Sequence, residues 1–245
     1  MFIKRIIDFI FPPNYTCICC GRDIFNNPYG VCEGCKSSLP FLTGRLCQHC
    51  SDILISDGDY CKRCKGKAQL YDKAISPFIY TDAIAKHIQN LKYNNAKYLA
   101  EPLSRFMADT FCNSKISIDF VTPVPLCTKR MKERGYNQSS LLADSFSKIV
   151  NIPVLDVLER VKETGTQTEL NFIERQKNLK DAFRVVNKKL VKDKSVLVID
   201  DVFTTGATVS ECAKVLKKSG AKVVYVLTAA HTIIAKNNKK WQKNI

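Results

Sequence analysis

Paired cysteines constrain this chain more than any other feature. Nine of its 12 cysteines fall between Cys17 and Cys64, and eight of these form four C-x-x-C units. Each C-x-x-C turn can direct two thiolates at one metal ion, and two turns complete a tetrahedral four-sulfur site. Gaps of 11 residues after Cys20 and 10 residues after Cys50 are typical of zinc ribbons. The pattern therefore predicts two structural Zn²⁺ sites, with the ligands Cys17, Cys20, Cys32 and Cys35, and Cys47, Cys50, Cys61 and Cys64.

Alternatives to this ligand set exist. Cys19 offers a more closely spaced pair of ligands within the first C-x-x-C unit, although the spacing shared with the other three units favours Cys17 with Cys20. A disulfide framework or an iron–sulfur centre would use the same cysteines, but a chain without a secretion signal is expected in a reducing compartment, where disulfides are rare. The remaining Cys112, Cys127 and Cys212 are predicted to be small apolar residues. The histidines are predicted not to be ligands.

Charge and cysteine content divide the 245-residue chain in the same place. From Lys65 onward there are 31 Lys+Arg against 17 Asp+Glu, a net charge of +14, whereas the preceding part is nearly neutral. This asymmetry predicts two domains, a double zinc ribbon at 1–68 and a larger domain at 69–245. A polyanion would be attracted to the second domain first.

The first 13 residues contain a short apolar stretch interrupted by Asp8. We interpret Ile3, Ile6, Ile7 and Ile10 as one face of a short amphipathic helix, with contact to a membrane surface as the alternative. No small-residue cleavage site follows, and no segment approaches the length of a membrane span. A cytoplasmic location is the expectation.

Helix and strand patterns alternate after Lys65. Helices are predicted from Asp82, as the cap residue, and around the stripes Leu99 to Met107 and Leu141 to Ile149. Strands are predicted at 118–125, 183–186, 196–199 and 223–227, with a helix between the last two that Gly220 ends. Such alternation predicts an α/β fold with a mainly parallel sheet covered on both faces.

One stretch, "VLVIDDVFTTGATV" at 196–209, carries the chemistry of the second domain. We place Asp200 to Thr208 in the loop at the carboxyl end of a central strand, where open α/β sheets bind ligands. Thr204, Thr205, Gly206, Ala207 and Thr208 lead into a helix, and hydroxyls with helix N-terminal N–H groups make a phosphate cradle. Asp200 and Asp201 beside that cradle can accept hydrogen bonds from a ribose diol and bring Mg²⁺ near. An ordinary capped turn is the alternative, while the P-loop and dinucleotide-binding glycine motifs are missing.

These residues carry a resemblance to a known family. The stretch is similar to the phosphoribosyl pyrophosphate loop of type I phosphoribosyltransferases, and nearly the whole chain resembles the competence protein ComF family, in which a double zinc ribbon precedes such a domain. Similar segments are "FPPNYTCICCG" at the start, "LKY" at 91–93, "TPVPL" at 122–126, "KRMKERGYNQ" at 129–138 and "RVKETGTQTELNFIERQKNLKDAF" at 160–183. Departures are Ser51, where glycine is common, and Ala230-His231, where an Ala-Arg pair is usual.

The resemblance implies a ligand and a role for each element. Asp200 and Asp201 would hold the ribose hydroxyls of phosphoribosyl pyrophosphate, residues 204–208 its 5′-phosphate, and the turn at Pro123 to Pro125 its pyrophosphate. Segment 162–175 would close over the site. Lys129, Arg130 and Arg134 are the nearest cations for the pyrophosphate, with a solvated basic helix face as the alternative.

Two functions follow from this reasoning. In the first, the protein is a phosphoribosyltransferase that acts in DNA uptake. An unidentified acceptor attacks the anomeric carbon of the ribose, and magnesium pyrophosphate leaves. In the second, a non-enzymatic competence factor binds single-stranded DNA, and its phosphoribosyl site is regulatory or vestigial. Other proteins of DNA uptake are possible partners in either case.

Overall fold

A parallel sheet lies at the centre of the computed structural model, which describes residues 16–25, 27–67, 69–162 and 179–233. The predicted N-terminal helix and nearly all of the predicted closing segment 162–175 lie outside these residues. The strands are β1 (Lys73–Ile75), β2 (Phe78–Ile79), β3 (Phe120–Pro123), β4 (Leu158–Arg160), β5 (Phe183–Val185), β6 (Ser195–Phe203) and β7 (Val223–His231).

The strand order within the described residues is β1-β7-β6-β3, and all neighbours are parallel. β2 continues along the same side of β7 as β1, since Ile75 pairs with Leu227 and Phe78 with Ala230. Ser76 and Pro77 separate the two short strands, and the Ser76 hydroxyl forms a hydrogen bond with the Thr228 hydroxyl at 2.6 Å. The predicted parallel sheet is confirmed, and β6 is a central strand.

Seven α-helices and one short 3-10 helix (Lys97–Leu99) accompany the strands in the described part of the chain. The α-helices are α1 (Glu33–Ser37), α2 (Asp82–Tyr93), α3 (Ala100–Asn113), α4 (Thr128–Arg134), α5 (Gln138–Val150), α6 (Lys188–Val191) and α7 (Ala207–Lys218). The apolar stripes of α2, α3, α5 and α7 face the sheet, and Ile88, Met107, Phe146 and Leu216 are fully buried. No described helix is long and apolar enough to cross a membrane.

Alternation along β6 divides the core between the two faces of the sheet, because successive side chains of a strand point to opposite sides. Val196 and Val198 belong to a cluster with α7, whereas Leu197 and Ile199 belong to a cluster with α2, α3 and α5. Burial of all four side chains is complete. This explains the uninterrupted aliphatic run in the sequence.

The two ribbons pack on different parts of this core. Cys17, Ile24 and Val31 of the first ribbon join the cluster of α2, α3 and α5. Cys47, Cys50 and Cys64 of the second join the cluster of α7. The boundary between 68 and 69 stays a prediction, and the ribbon residues share their apolar contacts with the sheet.

Several sequence expectations need correction. β6 extends to Phe203, so Asp200 and Asp201 are strand residues and the loop contains only 204–206. β5 does not join the parallel sheet but pairs antiparallel with β4. Thr81, not Asp82, is the N-cap of α2, and Cys112 is exposed. For the strands and α2, local pattern was right about element type and could not fix its partner or its end. For Cys112, residue type alone could not show that the side chain lies on the solvent side of α3.

Candidate functional site

Two cysteine tetrads have the geometry of metal centres. The sulfur atoms of Cys17, Cys20, Cys32 and Cys35 all lie within 4.8 Å of one another, as do those of Cys47, Cys50, Cys61 and Cys64. A tetrahedral zinc ion with bonds of about 2.3 Å separates its sulfur ligands by about 3.8 Å. The Sγ atoms of Cys20 and Cys32 are 3.8 Å apart, and those of Cys50 and Cys61 are 3.6 Å apart. Both tetrads therefore fit structural zinc, as predicted.

Backbone N–H groups favour the thiolate form of Cys17 and Cys47. The N–H of Cys32 donates to the Cys17 sulfur at 3.3 Å, and the N–H of Cys61 donates to the Cys47 sulfur at 3.4 Å. Burial opposes ionisation of Cys17, but the backbone donors outweigh it and lower the pKa of this thiol to about 6. Cys19 lies outside the tetrad, with its sulfur 3.7 Å from His87 Nε2.

A cavity of about 230 Å³ opens at the carboxyl ends of β3 and β6. Asp200 and Asp201 from β6 lie on one side, and Val124, Pro125 and Leu126 follow β3 on the other. The two strands are hydrogen-bonded neighbours, so the sheet itself brings the acids to the proline turn. This is the edge at which parallel α/β sheets bind their ligands.

The two acids have different surroundings. Asp200 accepts hydrogen bonds from the Ser139 hydroxyl and from the Asp201 backbone N–H, both at 2.9 Å. Its pKa is raised, because burial outweighs the opposing effects of Lys92 and the Ser139 hydroxyl. Asp201 lies 2.5 Å from the Lys92 ammonium, and only 7% of its side chain is exposed. Lys92 thus stands over both carboxylates.

Four cations line the same cavity: Lys92, Arg130, Arg134 and Arg160. Burial lowers the pKa of Lys92 to about 8; Asp200 opposes this shift, and Arg134 and Arg130 add to it. Arg134 donates to Gln138 Oε1 at 2.8 Å, and its guanidinium stacks 4.6 Å over the Tyr93 ring. Four cations against two carboxylates leave the cavity positively charged, as an anion site requires.

The phosphate loop, which we define as residues 204–208, begins directly after β6. Gly206 is the N-cap of α7 with a φ of +77°, a left-handed conformation that glycine adopts without strain. The Thr205 hydroxyl accepts from the Ala207 N–H at 3.3 Å. Thr204 and Thr208 line the cavity. A 12-residue helix that begins beside a positive cavity suits a phosphate at its N-terminus.

Most of the residues singled out from the sequence meet here. Six of them line the cavity: Asp200, Asp201, Thr204, Thr208, Arg130 and Arg134. Thr205, Gly206 and Ala207 lie between Thr204 and Thr208 in the chain. Lys129 is exposed and is not among the lining residues. Sequence reasoning did not assign Lys92, Ser139 or Arg160 to the site. Lys92 and Arg160 lie within quoted segments of the family resemblance, which was the available signal.

Comparisons with known proteins agree with this architecture. Residues 6–65 match the family model of the double zinc ribbon domain, and residues 136–244 match that of the phosphoribosyl transferase domain. The predicted fold class is therefore confirmed.

Three relatives match most of this chain. Competence protein F of Haemophilus influenzae is 32% identical over 220 residues, which covers 87% of this chain and 95% of that protein. The DNA utilization protein YhgH of Escherichia coli K12 is 28% identical, covering 89% and 97%. Competence protein ComFC of Bacillus subtilis is 24% identical, covering 78% and 79%. The similarity thus covers more than three quarters of the chain in each case.

Proposed function

Because this chain belongs to the competence protein F family, we propose that it acts in DNA uptake and binds phosphoribosyl pyrophosphate with Mg²⁺ in the cavity at the end of β6. One observation carries the proposal. Two carboxylates, the phosphate loop and four cations surround a single cavity of about 230 Å³. A phosphoribosyl ligand needs these three kinds of group together, since it has a diol, a phosphate and a pyrophosphate.

Each group has a role in this proposal. Asp200 and Asp201 accept hydrogen bonds from the ribose hydroxyls, and residues 204–208 hold the 5′-phosphate. Lys92, Arg130 and Arg134 face the pyrophosphate, whose magnesium ion the carboxylates attract. Lys92 must then leave Asp201 or share it with the ligand. If transfer to an acceptor follows, the same cations stabilise the leaving pyrophosphate.

Calorimetric titration with phosphoribosyl pyrophosphate and Mg²⁺ tests the proposal. Wild type is expected to bind, and Asp201→Asn to bind about 10- to 100-fold more weakly, because it loses a charge-assisted hydrogen bond of about 1.5–3 kcal/mol. Asp57→Asn is the matched control, since Asp57 is exposed and pairs only with Arg45 among the contacts described. No binding by folded wild type at millimolar ligand would refute the proposal.

A second function, binding of single-stranded DNA, is favoured by the surface beside the cavity. Tyr93 is 66% exposed and Tyr98 is 69% exposed. Exposed Lys129 and Lys132 lie on α4, whose Arg134 stacks on Tyr93. Aromatic faces next to cations are how proteins hold single strands without sequence preference. The relatives named for DNA utilization and competence agree with this role.

Fluorescence anisotropy with a labelled oligonucleotide tests the second function. Affinity is expected to fall with salt, with a log–log slope of roughly 0.7 per phosphate contact. The double variant Lys129→Glu and Lys132→Glu should weaken binding of all sequences alike. Lys188→Glu with Lys189→Glu makes the same charge change on α6 and serves as control. Equal loss in both double variants would contradict a binding surface on α4.

A further inference from the structure

Arg63 of the second ribbon reaches the phosphate loop. It stands between Cys61 and Cys64, and its Nη1 lies 3.4 Å from the carbonyl oxygen of Thr204. Its Nη2 lies 3.3 Å from a carboxylate oxygen of Asp52, in an ion pair whose side chains are 24% and 7% exposed. The guanidinium thus bridges the ribbon and the first residue of the loop, 141 positions later in the chain.

We propose that Arg63 is a positioning residue for the phosphate loop and that it makes the loop depend on the second cysteine tetrad. This inference rests on the proposed function for its ligand readout. In a trans peptide the carbonyl and the following N–H point in opposite directions. The described residues contain no cis peptide bond, so a donor that holds the Thr204 carbonyl towards the ribbon turns the Thr205 N–H away from it.

The second ribbon can hold Arg63 firmly, because it is fixed to the sheet. The Ala74 N–H of β1 donates to the His49 carbonyl at 2.7 Å, and the Ser51 hydroxyl donates to the Ala74 carbonyl at 2.6 Å. His49 of the ribbon also packs edge-on against Tyr71, at 5.9 Å between ring centroids, and Tyr71 packs edge-on against Phe203, at 6.1 Å, just before the loop. The ribbon and the end of β6 therefore form one packed unit.

The tetrad fixes Arg63 from both sides, since Cys61 and Cys64 are two of the four sulfur ligands. A bound metal ion restrains the backbone between them, and its loss would free that segment. The first tetrad has no described hydrogen bond to the phosphate loop. Loop geometry should accordingly respond to the metal of the second tetrad and not to that of the first.

Arg63→Gln is the test, with Arg45→Gln as the matched control in the same ribbon. Arg45 is 60% exposed and pairs with Asp57, away from the loop. We expect about tenfold weaker binding of phosphoribosyl pyrophosphate for Arg63→Gln, the size of one hydrogen bond, and unchanged binding for Arg45→Gln. Zinc content should stay the same in both. Wild-type affinity in Arg63→Gln would overturn the proposal, as would loss of zinc from that variant.

Arg63→Lys separates positioning from charge and serves if Arg63→Gln does not fold. Lysine keeps the positive charge beside Asp52 but cannot bridge the carboxylate and the carbonyl with a rigid fork. It should therefore also bind the ligand more weakly, and full restoration of affinity would overturn the proposal.

Amide hydrogen exchange supplies a readout that needs no ligand. Exchange in a peptide that covers residues 204–208 should be faster in Arg63→Gln than in wild type and unchanged in Arg45→Gln. This result would support the positioning role even if wild type bound no phosphoribosyl pyrophosphate. Unchanged exchange at 204–208 would refute it.

Discussion

The two zinc ribbons each have a pair of C-x-x-C units but lie in different surroundings. In the first tetrad Cys17 is buried, Cys20 is exposed, and Cys32 and Cys35 are half-buried. In the second, Cys47, Cys50 and Cys64 are buried and Cys61 is half-buried. The first ribbon packs on helices, through Tyr29 against Phe106. The second is hydrogen-bonded to β1 through Ser51 and reaches Phe203 at the end of β6 through His49 and Tyr71. The same local motif is therefore attached to the outer helices in one ribbon and forms part of the framework next to the cavity in the other.

Each ribbon can influence the cavity by a different route. The second ribbon contacts the phosphate loop directly through Arg63. The first ribbon meets α2 through Cys19 and His87, and α2 carries Lys92 in its last turn. That helix is therefore one path by which the first ribbon can influence the cavity, and its contact with α3 through Tyr29 is another.

Serine in place of a cysteine in each tetrad should give the largest contrast. Cys64→Ser removes a ligand that is 5% exposed within the core, so we expect a loss of more than about 4 kcal/mol of folding free energy, as for other lost metal sites. Cys20→Ser should cost clearly less, because this residue is exposed. Both variants should lose one zinc ion of two. Thermal melts with elemental analysis decide this, and equal destabilisation would remove the distinction between the ribbons.

Gly206→Ala probes the region that the second ribbon supports. An added Cβ would lie 2.7 Å from Phe203 Cζ, and Phe203 is stacked 4.8 Å from His231. A left-handed alanine together with a displaced packed ring should cost about 2–4 kcal/mol of stability. Denaturant unfolding measures it. Gly135→Ala, at φ +73° with open space around it, is the control for the backbone term alone. Equal losses would show that packing against Phe203 is unimportant.

The pH dependence of ligand affinity tests the role of Lys92, which lies in the last turn of α2. Lys92 has a pKa of about 8, so its protonated, attractive form dominates at pH 7 and is mostly lost at pH 9. Ligand phosphates are fully ionised above about pH 7 and do not offset this change. Affinity for phosphoribosyl pyrophosphate should fall roughly tenfold between these values, since one pH unit corresponds to about 1.4 kcal/mol. Lys92→Gln should bind weakly at both pH values, and a wild-type slope in that variant would exclude Lys92 as the cause.

Tyr29→Phe should have the smallest effect. The Tyr29 hydroxyl donates to Asp109 at 2.8 Å and joins the first ribbon to α3. Its loss should lower stability by about 0.5–1.5 kcal/mol, because the ring still packs on Phe106. Ligand affinity should not change. A measurable loss of affinity in calorimetry would show that the first ribbon is coupled to the cavity.

Sequence alone determined the features that depend on local spacing and periodicity. Four C-x-x-C units specified two four-sulfur sites, since the ligands of each site are neighbours in the chain. The run from Val196 to Ile199 specified a strand that is buried on both faces, and the acids and threonines after it predicted a ligand site at the end of that strand. Resemblance to a known family then joined these parts into one architecture.

Tertiary structure decided everything that depends on residues far apart in the chain. Lys92 meets Asp201 only because α2 ends above the carboxyl edge of β6, 109 positions later. The residue pattern predicted a strand at 183–185, but only the antiparallel pairing with β4 shows that β5 lies outside the parallel sheet. Both ribbons have the same local signature, yet only packing placed Arg63 on Thr204. No local pattern could show this, because the free energy that selects such contacts comes from apolar burial and from charge pairing across the whole fold.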